Sequence, residues 1–150
     1  MLYLLRVVPD PVLAQPTLPL PKDATLDDMI DSMISVMHAS HGIGLAANQV
    51  GLSHSLFVTG LEEIPVAINP EILSRSSSTQ TDQEGCLSVP LKRALVTRPE
   101  TVTIRYLDRS RAERTETLSG YPARVICHEL DHLLGTTLLS PILGTSLPAT

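Results

Sequence analysis

The sequence predicts an α+β fold, with antiparallel sheets of short strands packed around one late helix and a single earlier helix near the N-terminus. Three observations carry this. Helix signals occur twice, once over Leu26, Ile30, Met33 and Met37 at helical spacing, and again between Pro122 and Gly135. Between them lie short apolar runs, "SLFV" and "VAIN", and one clean alternation, "TVTIRYL". The chain has 150 residues and no internal repeat, so a single domain over 1–150 is expected, large enough to bury one core without disulfides.

The elements follow in order. Pro9, Pro11, Pro16, Pro19 and Pro21 predict an extended arm lying across other elements. Thr25 and Asp28 form a capping-box-like pair that opens the first helix, and Gly42 closes it. Its methionines read as core rather than as a cofactor contact. "GIGLAANQVG" is too rich in glycine to be helix or strand throughout. "SRSSSTQTDQ" (74–83) predicts an exposed loop or a solvated edge hairpin. In "TVTIRYL", Val102, Ile104 and Tyr106 share one face of a half-buried strand, and "ERTETL" pairs with it after a turn near Asp108 to Arg111. Pro122 suits the first turn of the last helix and Gly135 its stop. From Ser140, Pro141, Gly144 and Pro148 argue against a long helix.

Composition excludes several classes. Aromatics make up 3% and there is no Trp, so Leu, Val, Ile and Met must build the core. A net charge of −5 without a basic cluster argues against nucleic acid; Lys92 and Arg93 read as ordinary loop charges. Two cysteines make no disulfide framework. Arg6 is the one cation ahead of the prolines, so neither signal nor transit peptide is expected, and no apolar run reaches the length of a membrane span. A reducing compartment follows.

"CHELDH" (127–132) carries the chemistry. On a helix His128 and His132 lie about 40° apart, so both can reach one metal, with Glu129 at the edge of that face near a bound water. Two solvated histidines would give the same pattern. Beyond the helix there is no His, Cys, Asp or Glu, so a third ligand must lie upstream. Leu138 stands where one peptidase class carries a downstream histidine. Cys86, Cys127, His38, His41, His54 and several carboxylates are candidates. The Cys127 side chain points about 100° away from His128, and His38 and His41 fit a solvated helix end. Cys86 in "EGCLSVP" suits a ligand in a tight turn and a small buried hydrophobe equally well.

Three motifs in this order, "GIGLAANQ" (42–49), "EGCLS" (84–88) and "HELDH" (128–132), resemble those of the peptide deformylases. The intervening "INPEI", "RALVTRPE" and "GYPARV" match as well, and the similarity spans about residues 6 to 139. The resemblance implies one catalytic domain in which Cys86, His128 and His132 hold a metal. Water is then the fourth ligand and the nucleophile. It also implies Glu129 as general base and acid, with the Gln49 side chain and the Leu87 N–H as oxyanion hole. Gly42, Ile43, Gly44, Glu84, Gly85 and Val125 are implied at the substrate, Ile43 and Val125 flanking an apolar pocket for methionine. Arg98 and Asp131 are expected to pair in a buried or half-buried position and so steady the helix behind the ligands. The implied metal is Fe²⁺, with Zn²⁺, Ni²⁺ or Co²⁺ as substitutes.

The implied activity is removal of the N-formyl group from formyl-methionine at the start of nascent polypeptides. The implied setting is cytoplasmic and ribosome-proximal, of bacterial type or phage-encoded, although an organelle fits too, with no binding to nucleic acid or membrane. Cys127 stands where the family usually has Gln, and Ser140 where it has an acidic residue. Two alternatives are an endopeptidase of the His-Glu-x-x-His type and a non-catalytic peptide-binding homologue. The missing downstream ligand speaks against the first, and intact Glu129 and Gln49 against the second.

Overall fold

The computed structural model describes residues 3–148. In chain order it contains helix α1 (Asp27–Ala39), strands β1 (Gly44–Ala46), β2 (Leu56–Thr59), β3 (Val66–Arg75), β4 (Thr79–Cys86), β5 (Val89–Pro99), β6 (Thr101–Leu107) and β7 (Glu113–Ser119), helix α2 (Tyr121–Leu133), and strand β8 (Thr145–Pro148). All pairing within the two sheets is antiparallel: five strands run β1-β2-β3-β6-β7 and three run β4-β5-β8. The α+β expectation holds.

The difference between continuous and alternating apolar strands has a physical origin here. Leu45, Leu56, Val58, Val66 and Ile68 face α1, packing with Ile30, Met33 and Met37. Their neighbours Ala46, Phe57 and Ala67 face the other way and join Ile104, Ala123, Ile126 and Leu130 under α2. Strands β1, β2 and the start of β3 are thus covered on both sides, and read as unbroken apolar runs. Strand β6 is covered on one side only: Val102, Ile104 and Tyr106 are buried while Arg105 is exposed.

Helix α1 starts and stops otherwise than expected. Its N-cap is Leu26, without a side-chain cap, and Asp27 and Asp28 complement the helix dipole instead of a Thr25 box. At the C-terminal end His41 takes the left-handed conformation (φ 57), its N–H bonded to the His38 carbonyl and that of Gly42 to Met37. This is a Schellman closure with histidine in the usual glycine position. Helix α2 agrees with expectation, with Pro122 in its first turn and Gly135 (φ +86) after Leu134.

Residues 74–83 are neither loop nor edge hairpin. They are the end of β3, a three-residue corner and the start of β4, so the chain crosses there from one sheet to the other and returns at Glu100. Hydrogen bonds from Ser76 N–H to Thr101 O and from Glu100 N–H to Ser78 O clamp both crossings. Polar residues predominate because the strand ends are solvated. Lys92 and Arg93 lie in β5 rather than in a loop. The tail after Ser140 forms no helix but contributes β8, paired to β5 over Ala94–Thr97. A four-residue strand containing Pro148 carries no periodicity to detect.

The N-terminal arm crosses other elements as expected, with one 3₁₀ turn at Pro11–Ala14 capped by Asp10. It donates backbone hydrogen bonds from Arg6 to Gln49 O (2.6 Å), Val8 to Ser88 O (2.8 Å) and Thr17 to Leu133 O (2.9 Å). It therefore ties together all three segments that carry the motifs.

Candidate metal centre and active-site cleft

A cleft of about 690 Å³ opens where α2, β1 and the β4–β5 turn meet. It is lined by Gly42, Ile43, Gly44, Gln49, Gly85, Cys86, Leu87, Val125, His128 and Glu129, so it gathers residues from all three motifs. The ligand-capable atoms of Cys86, His128 and His132 lie within 4.8 Å of one another. Cys86 Sγ is 3.2 Å from His132 Nε2, and the two imidazole centroids are 5.0 Å apart. Among the upstream alternatives, His41 lines the cleft but stands outside this group, and His38 and His54 belong to neither the group nor the cleft lining. Cys127 is fully buried in the core under α2, where burial pushes its thiol up to about 12. That places its sulfur in packing, with the thiol held in its protonated form.

Behind the three donors lies a buried charge network. Arg98 is fully buried; its Nε and Nη2 grip both oxygens of Glu84 at 2.7 and 2.8 Å, and its Nη1 reaches Asp131 Oδ2 at 2.7 Å. Asp131 Oδ1 accepts the N–H groups of Ile142 and Leu143, anchoring the tail to α2. Glu84 Oε2 also accepts from Arg124 Nη1 at 2.6 Å, and its Oε1 meets His128 Nδ1 at 2.8 Å. Burial alone would raise the Glu84 pKa, but hydrogen bonds from Arg98 and His128 hold it down to about 2. The Glu84 oxygens are taken up by two arginines and His128, while the residue itself lines the cleft.

This arrangement fixes the histidine chemistry. With Nδ1 of His128 committed to Glu84, Nε2 is left for the donor cluster. Burial lowers the affinity of both imidazoles for protons. In His132 it prevails, with the neighbouring His128 acting in the same direction, and the pKa falls well below normal. In His128 the contacts with Cys86 and Glu84 overcome it, raising the pKa to about 10. One soft sulfur and two imidazole nitrogens, backed by Glu84 and with Glu129 alongside, line one partly buried site. A divalent cation fits that donor set.

Glu129 is 3% exposed, and burial raises its pKa to about 7 against the opposing influence of His128. Its Oε1 has no hydrogen-bond partner among the described residues, while Oε2 packs against Gly44. A Cβ on Gly44 would stand 2.5 Å from that oxygen, which is why the strand carries glycine there. Gln49 is buried on a 3₁₀ turn (Ala47–Val50), its Oε1 accepting from Ala46 N–H and its Nε2 facing Ser88 Oγ at 3.1 Å and Cys86 Sγ at 3.8 Å.

Two groups escaped the sequence reading. Arg124 lies one turn before His128, and an arginine on the ligand face of a helix was a usable signal. Ser88 closes the motif "EGCLS" but drew no role from it, and strand alternation could not supply one because residues 87–88 form a turn.

Comparison with known proteins finds similarity over most of the chain. A family model described as polypeptide deformylase matches residues 3–145. The peptide deformylase of Thermotoga neapolitana is 43% identical over 143 residues, covering 94% of this chain and 87% of that protein. That of Chlorobium phaeovibrioides is 44% identical, covering 87% and 73%. Among solved structures, the Thermotoga maritima peptide deformylase superposes with a TM-score of 0.88 at 38% identity, covering 95% of this chain and 98% of that one. The Synechococcus elongatus enzyme, solved in complex with actinonin, gives 0.88 at 38% identity, covering 93% and 78%.

Proposed function

This chain belongs to the polypeptide deformylase family, and from that membership we propose that it releases formate from N-formylmethionyl termini using the residues gathered in the cleft. The observation that carries the assignment of roles is the approach of Cys86, His128 and His132 within 4.8 Å, with Glu129 and Gln49 beside them. Those three residues would hold a divalent ion, which when bound supplies Lewis acidity that makes water acidic near neutral pH. Fe²⁺ is our proposal for the ion, with Zn²⁺, Ni²⁺ or Co²⁺ able to use the same mixed sulfur–nitrogen donors.

Glu129 takes the proton of the attacking water and passes it to the departing amine, a role supported by its unpartnered oxygen. The Gln49 Nε2–H and the Leu87 backbone N–H donate to the developing oxyanion; one such donor is worth about 3 kcal/mol of barrier. Strand β1 is an edge strand of its sheet, so an extended peptide can lie along it, with Gly42 and Gly44 leaving room for its backbone. Ile43 and Val125 flank the methionine side chain, and Gly85 also lines the cleft. Arg98 and Asp131 brace α2 from behind, and Glu84 orients His128. Such substrates are the starts of new chains, so we place the enzyme in a bacterial-type cytoplasm near ribosomes. No helix among the described residues is long and apolar enough to cross a membrane.

The test compares parent, Glu129→Gln and Cys86→Ser for formate release from formyl-Met-Ala, for bound metal and for casein digestion. Glu129→Gln should retain metal and lose about 10²–10⁴ in rate, as expected of general acid–base work. Cys86→Ser should lose metal and activity together. Casein cleavage by the parent would favour the endopeptidase reading instead.

A further inference from the structure

We propose that Ser88 is a positioning residue that aims the Gln49 amide, and that the N-terminal arm holds the two residues at the required separation. The proposal rests on the reading of Gln49 as an oxyanion donor. The orientation of that amide is settled by its neighbours. Ala46 offers a backbone N–H, which can only donate, so the atom 2.9 Å from it is the Gln49 oxygen. The nitrogen then lies on the opposite side, where it donates to Ser88 Oγ at 3.1 Å. Its remaining proton is left on the side of Cys86, whose sulfur is 3.8 Å away. Terminal amide torsions are intrinsically broad, so two fixed contacts are needed to hold this one.

The two residues come from segments 39 positions apart in sequence. Their separation is set by backbone hydrogen bonds to a third segment: Arg6 N–H to Gln49 O at 2.6 Å and Val8 N–H to Ser88 O at 2.8 Å. Ser88 is fully buried, and its hydroxyl lies where no solvent can substitute for it.

Ser88→Ala, Gln49→Leu and the double variant should be compared for kcat and KM on formyl-Met-Ala, with metal content measured in each. Ser88→Ala should lower kcat about five- to tenfold, the value of one hydrogen bond, with KM and metal unchanged. In the Gln49→Leu background it should have less than about a twofold further effect, since the two act as a unit. Equal losses in both backgrounds, or a change confined to KM, would overturn the proposal. A fall for Gln49→Leu with none for Ser88→Ala sinks the positioning role alone, whereas an unchanged kcat in Gln49→Leu sinks the oxyanion reading beneath it. A second readout is independent of turnover: solvent exchange of the Gln49 Nε2 protons by NMR should quicken at least about tenfold in Ser88→Ala. Unchanged exchange would contradict the proposal even if the variant were less stable.

Discussion

Gly44→Ala changes one hydrogen into a methyl group and should act on catalysis rather than on folding. The backbone at Gly44 is ordinary strand, not a left-handed turn, so alanine adopts it without strain. The new Cβ, however, would stand 2.5 Å from Glu129 Oε2, 2.9 Å from its Cδ and 3.1 Å from its Cγ. Ordinary contact begins near 3.4 Å, so the carboxylate must retreat by about 0.9 Å. The side chain can make this move through its own torsions, but the retreat would take the carboxylate from the water it is proposed to deprotonate. A misplacement of about 1 Å costs on the order of 10²-fold in rate, equivalent to about 2.7 kcal/mol. Formate release under saturating formyl-Met-Ala measures it, with metal content and thermal midpoint as controls. A variant that retains metal and midpoint but turns over at the parental rate would refute the placement of Glu129.

Arg98→Met should destabilise the fold by about 3–5 kcal/mol, because it leaves Glu84 and Asp131 buried with lost partners; a denaturant midpoint equivalent to under about 1 kcal/mol would contradict it. Gly144→Ala should lower the thermal midpoint and expose the β8 amides to exchange, since its Cβ would collide with the Thr97 carbonyl oxygen in a conformation (φ +154) that alanine rarely adopts. Retained β8 protection would show that the tail is placed otherwise. Glu84 predicts acid sensitivity: its folded pKa of about 2 lies below its ordinary 4.5, so its stabilising contribution is present above about 4.5 and is lost as pH falls toward 2. The stability gap between parent and Glu84→Gln should therefore narrow across that window, and a constant gap would speak against a charged Glu84.

The donors of the cleft were legible because chemistry restricts them to few residue types at fixed helical spacing. His128, Glu129 and His132 could be placed on one helix face from the sequence alone, but Cys86 could not. Its alternatives differed only in where the chain turns, and the family resemblance, not spacing, made the choice. Helix ends were less legible, since His41 can take a glycine's place when Schellman hydrogen bonds compensate. The second sheet was half hidden, because β4 is largely solvated and β8 is too short for periodicity to mark. The hydrogen-bond partners of Glu84 were not legible, because they come from distant segments of the chain. Only the three-dimensional meeting of Arg98, Arg124 and His128 shows its oxygens to be taken.

The most direct test is anaerobic titration of chelator-treated protein with Fe²⁺ while following formate release from formyl-Met-Ala. Activity should begin near zero, rise in proportion to added iron and level off at about one ion per chain, the stoichiometry of a single Cys/His/His site. Full turnover without metal, or a plateau that requires a second ion, would contradict the account.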